Sequence, residues 1–188
     1  MIAGPLDGVK ILELTAVVLG PWACQILADM GAEVIKVEPL EGDSVRGPAS
    51  GSGFSPMFVS ANRGKRTLAL DLKHPAGHAA LLRLLGTADV LVENFRPGTM
   101  QRLHLDEQAL RKLNPRLIYT SITGVGDSGP YVKKRVYDPI IQALSGIADV
   151  QADGGNGRPR MVRTVMADKT TAVYGAQVYN NSLSGWRL

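Results

Sequence analysis

Two short apolar runs flanking a helix-spaced stretch constrain the fold of this chain more than any other feature. Val9-Lys10-Ile11-Leu12-Glu13-Leu14 reads as a buried strand. From Pro21 to Met30 the apolar residues Ala23, Ile26, Leu27 and Met30 recur at helical spacing, and Gly31 closes the pattern. Glu33-Val34-Ile35-Lys36-Val37-Glu38 is a second strand. A strand, a helix and a strand in such close succession make a βαβ unit, which implies parallel pairing with a right-handed crossover. The theme repeats. Further strands are expected at Arg66–Leu70, Asp89–Glu93 and Arg116–Ile122, with helices at Pro75–Gly86, Asp106–Leu113, Asp138–Val150 and Met166–Tyr179. Pro39–Gly64 and Asp153–Gly157, rich in Gly, Ser, Pro or Asn, read as loops. Asn180–Leu188 shows neither period and reads as an irregular tail. Five strands alternating with helices predict a doubly wound α/β fold with a mainly parallel sheet over residues 1–179.

Composition narrows the function. Hydrophobic residues make up 45% of the 188, enough for a sizeable core. The net charge of +4 suits a phosphate-bearing ligand, but the Lys and Arg are scattered and aromatics are only 5%. A nucleic-acid surface of basic stripe and stacking rings is therefore not expected. A single cysteine, Cys24, excludes an internal disulfide and a Cys-based zinc site. His74, His78 and His104 lack metal spacing, so no metal is expected. The apolar stretch Val9–Leu19 is interrupted by Glu13, followed by Pro21 and preceded by no basic segment. Neither a signal peptide nor a membrane span is read there, which leaves the cytoplasm as the expected location.

In an open parallel sheet, ligands bind beyond the carboxyl ends of the strands. The loops to inspect are Thr15–Pro21, Pro39–Gly64, Asp71–His74, Asn94–Gly98 and Thr123–Tyr137. They offer Arg46, Arg63, Lys65, Lys73, Arg96, Lys133, Lys134 and Arg135 as phosphate partners, although each alone reads better as a solvated surface charge, and only their convergence at one sheet edge favours the set. The first turn, Thr15–Pro21, has one glycine where the dinucleotide fingerprint has three, and Pro21 removes an amide. That argues against a nicotinamide cofactor. Asp168 follows an apolar run and precedes Lys169-Thr170-Thr171, which suits a carboxylate at a helix N-terminus. By itself it reads as a helix cap.

Several stretches together resemble the family III coenzyme A transferases, the group that includes α-methylacyl-CoA racemase. They are Pro5–Leu14, Leu27–Glu38, Asn62–Arg66, Asp71–Lys73, Ala88–Gly98, Asn114–Tyr119 and the run from Thr123-Gly124 through Gly129-Pro130-Tyr131. The resemblance spans roughly residues 5 to 178 and is that of an N-terminal portion. It implies a Rossmann-like large domain and an acyl-CoA substrate, with an interlocked homodimer in full-length relatives. Carried over position by position, Asp168 falls on the family's catalytic aspartate. Tyr137 stands where transferases often have Tyr and racemases a catalytic His. Val17 and Val18 would flank the thioester end, while Lys73, Arg96, Arg102, Leu103 and Arg135 would contact the adenosine phosphates, the pantetheine or its entrance.

The implied reaction moves coenzyme A from an acyl-CoA to a carboxylic acid through an aspartyl-CoA intermediate on Asp168. Val18 occupies the position of a Gln found in some formyl-CoA transferases, which argues against formate and oxalate. Tyr137 argues against a racemase or epimerase, the second reading. A CoA-binding fragment without catalysis is the third.

Overall fold

The computed structural model describes residues 4–47, 54–152 and 157–184. Its sheet contains β1 (Lys10–Leu14), β2 (Glu33–Glu38), β3 (Arg66–Ala69), β4 (Val90–Glu93) and β5 (Ile118–Ser121). The strand order is β3-β2-β1-β4-β5, and every neighbouring pair is parallel. The helices are α1 (Leu19–Asp29), α2 (Pro56–Asn62), α3 (Pro75–Leu85), α4 (Thr99–Arg102), α5 (Glu107–Leu113), α6 (Asp138–Leu144), α7 (Ile147–Val150) and α8 (Met166–Ser184). The chain winds outward from β1 to β3, then returns to β4 and β5 on the opposite side of β1. This is the doubly wound arrangement the sequence predicts, and its direction reverses between β1 and β4.

Strand alternation assigns each face its helices. Ile11, Val34, Val90 and Val92 pack with Ala23, Cys24 and Leu27 of α1 and with Ala172, Ala176 and Tyr179 of α8. Leu12, Leu14 and Leu91 pack on the other side with Leu81 and Leu85 of α3 and Leu110 of α5. β4 is buried along its whole length, as a central parallel strand must be. Burying each such Leu or Val contributes roughly 1.5–3 kcal/mol. Among the described residues no helix is long and apolar enough to cross a membrane.

Several elements depart from the sequence reading, among them the one-turn helix α4, which lies where no element was expected. The loop Pro39–Gly64 contains α2, whose Pro56 sits in the first turn after Ser55, and the Phe58 amide donates to Ser55 Oγ at 3.1 Å. Phe58, Ala61 and Asn62 form its buried face, an apolar stripe too short to stand out as a period. Helix α1 starts at Leu19, two residues before Pro21, because a proline's missing N–H costs nothing within the first turn. The single helix expected over Asp138–Val150 is two, broken where Gly146 takes φ +81°. The supposed tail enters α8, which runs on through Ser184. Once a packed helix exists, each added residue gains a hydrogen bond, which offsets the weak propensities of Asn and Ser. Of the turn Asp153–Gly157, all but Gly157 lies outside the described residues, as does Gly185–Leu188.

Candidate active site

The turn after β1 lies at the point where the sheet reverses. Val17 there adopts φ +72°, a left-handed conformation that a β-branched side chain rarely takes. Such a residue stores about 1–3 kcal/mol and persists only where its surroundings impose it. The turn is held from several directions. Asn94, just beyond β4, pairs with both polar groups of Ala16: the Ala16 amide donates to Asn94 Oδ1 and Asn94 Nδ2 donates to the Ala16 carbonyl, each at 3.0 Å. The Val17 amide donates to Asp43 Oδ1 at 3.3 Å. Lys36 Nζ donates to the Thr15 carbonyl at 2.7 Å, and Lys65 Nζ to the Pro21 carbonyl at 2.7 Å.

Those two ammonium groups belong to a buried charge network. Glu13 takes Lys36 Nζ on Oε1 at 3.0 Å and Lys65 Nζ on Oε2 at 2.7 Å, and all three side chains are 0% exposed. Asp43 completes it, 3.0 Å from Lys36 Nζ. Burial opposes the charge on Lys36, but Glu13 and Asp43 outweigh burial and hold its pKa above the ordinary lysine value. Burial prevails at Lys65, which is held below that value despite Glu13. Two positive and two negative charges thus share a buried site whose spare donors reach the backbone on both sides of Val17.

Gly20 shows how tightly the turn closes. A Cβ there would lie 2.4 Å from Cβ of the buried Thr15, whose Oγ1 donates to Glu13 Oε1 at 2.9 Å. Gly20→Ala is expected to cost about 2 kcal/mol or more by displacing this turn. Urea denaturation of the variant against the wild type would measure it, and an unchanged midpoint would contradict this packing.

Beside the turn, at the carboxyl ends of the strands, a cavity of about 400 Å³ is lined by residues that include Ala16, Glu38, Asp43, Lys73, Phe95 and Leu103. Lys73 and Leu103 therefore stand together where the sequence expected a ligand contact. Arg96 and Arg102 are exposed on the segment after β4, and Arg135 is exposed before α6. Val18 is buried at 2% exposure, so of the valine pair Val17 alone offers side-chain surface to the exterior. Three other basic candidates have internal partners. Arg46 is paired with Glu38 and lies over the Phe54 and Phe58 rings, Arg63 pairs with Asp29, and Lys65 is in the buried network. Lys133 and Lys134 remain exposed. His74 caps α3 through the Ala76 amide, and His78 Nε2 lies 2.8 Å from the Leu103 carbonyl oxygen.

Asp168 occupies the first turn of α8 and is half-buried. Its amide donates to Asp138 Oδ2 at 2.9 Å, so Asp138, from the first turn of α6, caps α8 across space. Gln142 carries the same clamp further, accepting from the Val162 amide at 2.8 Å and donating to the Thr164 carbonyl and to Asp138 Oδ1. Burial, and then the Asp138 carboxylate, push the Asp168 carboxyl up to about 6. Lys169 Nζ lies 5.5 Å from the centroid of the Trp22 ring, which sets the start of α8 against the first turn of α1, directly after Val17 and Val18. Tyr137 immediately precedes α6 and is 68% exposed, free to meet a ligand. The structure thus brings Asp168 and Asp138 together at the start of α8, with Tyr137 one residue before Asp138.

Sequence reasoning missed Glu13, Lys36, Asp43, Asn94 and Asp138. The detectable signal was a charge in the middle of an apolar strand, at Glu13 and Lys36. Nothing local marks the other three.

Residues 6–180 match the model of CoA-transferase family III. A succinate–glutarate CoA-transferase of Agrobacterium fabrum is 44% identical over 188 residues, covering 95% of this chain and 47% of that relative. An acetyl-CoA:oxalate CoA-transferase of Acetobacter aceti is 47% identical over 147 residues, covering 77% and 38%. The crystal structure of a CaiB/BaiF family protein from Brucella suis superposes with a TM-score of 0.90 at 39% identity, covering 96% of this chain and 49% of that one. The chain spans about half the length of the curated relatives it matches.

Proposed function

This chain belongs to CoA-transferase family III, and on that premise we propose that it binds an acyl-CoA and transfers coenzyme A to a carboxylic acid through Asp168. The observation that carries this reading is the placement of Asp168: a half-buried carboxyl in the first turn of α8, next to Lys169 whose Nζ lies over the Trp22 ring of α1, with no basic partner among the causes of its raised pKa. A carboxylate that is neither paired nor fully solvated keeps its lone pairs for a carbon electrophile.

The steps balance as follows. The Asp168 carboxylate attacks the thioester carbonyl carbon, the C–S bond breaks, and coenzyme A leaves as the thiolate, giving a mixed anhydride. The thiolate then attacks the aspartyl carbon and expels the donor carboxylate, leaving an aspartyl-CoA thioester. An acceptor carboxylate repeats both steps in reverse order, and Asp168 is regenerated. Amides of the α8 first turn would stabilise the oxyanion, and Val17 would bound the thioester end. Tyr137, with most of its surface open, would meet the acyl group. Lys73 and Leu103 on the cavity, with the exposed Arg96, Arg102 and Arg135, would hold the nucleotide end, whose binding energy orients the distant carbonyl. The enzyme acts as a homodimer in the cytoplasm in this reading, with residues 1–179 as its coenzyme-binding unit. Because one relative is named for succinate and glutarate, those acids are the first acceptors to assay, with oxalate, for which another relative is named and against which Val18 argues, as the contrast.

The test is chemical trapping. Incubation with an acyl-CoA followed by hydroxylamine is expected to convert Asp168 to its hydroxamate, read by peptide mass spectrometry, and labelled acid is expected to exchange into the acyl-CoA pool. Modification at another carboxylate would refute the role of Asp168. Coenzyme A binding by calorimetry without turnover or trapping would reduce the chain to a binding unit.

A further inference from the structure

The turn at Val17 asks for more restraint than its own residues supply. Asn94 fixes Ala16 and Lys36 fixes the Thr15 carbonyl, but the one acceptor of the Val17 amide itself, among the described residues, is Asp43. Asp43 also lines the cavity, is buried, and pairs with Lys36 at 3.0 Å. Its own position is set from the same wall. The Asp43 amide donates to Glu38 Oε2 at 2.8 Å, and Glu38 is held in turn by a two-pronged bond from Arg46. A chain of contacts therefore runs from the cavity wall, Glu38 to Asp43, to the strained residue after β1.

We infer that Asp43 is the positioning residue of the site: it keeps Val17 in its left-handed conformation and couples that turn to the loop walling the cavity. The coupling follows from the two oxygens of one carboxylate. Oδ1 takes the Val17 amide while Oδ2 faces Lys36, so the carboxylate cannot move toward or away from the turn without disturbing the buried ion pair. Lys36 is anchored on Glu13 and Thr15, which makes it a rigid reference point. The consequence for ligand binding rests on the reading that Val17 bounds the thioester end. The consequence for the backbone does not.

Residue-resolved hydrogen exchange separates the two. In the wild type the Val17 amide is expected to be protected although it sits beside an open cavity, and an unprotected amide would overturn the inference without any variant being made. Asp43→Ala is expected to speed exchange at Ala16–Val18 by roughly tenfold or more while the amides of β1 and β4 stay protected. Val17→Gly removes the strain, since glycine takes positive φ freely. The double variant Asp43→Ala/Val17→Gly is therefore expected to return most of the protection at the Ala16 amide, which Asn94 still accepts, while the amide of residue 17, its acceptor gone, stays fast. A purely structural loss at Asp43 would leave the double variant no better than Asp43→Ala, and that result overturns the proposal. In parallel, coenzyme A affinity of the double variant is compared with that of Val17→Gly alone, with a difference under about threefold expected. If wild type binds no coenzyme A, the functional reading fails while the exchange results still decide the role of Asp43.

Discussion

Asp168→Ala is expected to lower CoA transfer by at least about 10³-fold while leaving coenzyme A affinity within a few-fold of wild type. The expectation follows from position. Lys73 and Leu103, both proposed to hold the coenzyme, line the cavity, whereas Asp168 does not. Its amide bond to Asp138 is a backbone contact that alanine keeps. A loss of binding as large as the loss of turnover would mean that Asp168 organises the site and does not react in it. The pH dependence gives a second signature. In the proposed reaction Asp168 attacks as the carboxylate, and burial with Asp138 holds its carboxyl at about 6. Turnover should therefore rise through pH 6 and level off above 7, with roughly a tenfold drop from the plateau at pH 5. Asp138→Asn removes the smaller of the two causes, so the midpoint should move down yet stay above the ordinary carboxylate value, because burial remains.

The same shift makes a statement about stability. The folded state holds the Asp168 proton more tightly than the unfolded chain, so its contribution is fully present below about pH 4 and is lost as pH rises through about 6. Above that range Asp168→Asn should be more stable than wild type. With allowance for solvent screening at a half-buried carboxyl, the gain is about 1 kcal/mol. An inactive variant more stable than its parent at pH 7 is the pattern of a group strained for function. Equal stability at pH 7 would show that the site costs the fold nothing.

Glu13→Ala is expected to be the most damaging single change to the fold, costing about 3–5 kcal/mol out of a total near 5–15. Removing this carboxylate leaves Lys36 with Asp43, and Lys65 with only the Pro21 carbonyl and Asn62 Oδ1 as acceptors. Both ammonium groups have fully buried side chains, so water cannot replace the missing charge. The double variant Glu13→Gln/Lys65→Met removes one charge of each sign and should recover a large part of the loss. The exposed pair Glu107–Arg111 is the control, since Glu107→Ala should change stability by less than about 0.5 kcal/mol. Urea unfolding at pH 7 measures all three. A Glu13→Ala variant as stable as the Glu107 control would show that the lysines are reached by solvent.

Most of the architecture was readable along the chain, because a strand or helix betrays itself by the spacing of its own apolar residues. Ile11, Leu12 and Leu14 announce β1, and Ala23 and Leu27 announce α1. The misread segments are those where that periodicity is weak or interrupted. The short buried stripe of α2 was hidden in a loop-like composition, the break at Gly146 rested on a backbone angle, and α8 extended into residues with no apolar pattern. Asp168 and Tyr137 were singled out by family likeness, and nothing in their immediate neighbours distinguished a reactive carboxyl from a helix cap.

By itself the amino-acid order determined the succession of strands and helices, the parallel sheet and the family, all of which depend on patterns within a few tens of residues. Only the tertiary structure decided which lysines are buried partners and which line the cavity, that Val17 is strained, and that Asp138 stands behind Asp168 from thirty positions away. The physical reason is range. Apolar periodicity is written in neighbouring residues, whereas the field at a carboxyl depends on which distant groups the fold brings near it and how much water it excludes.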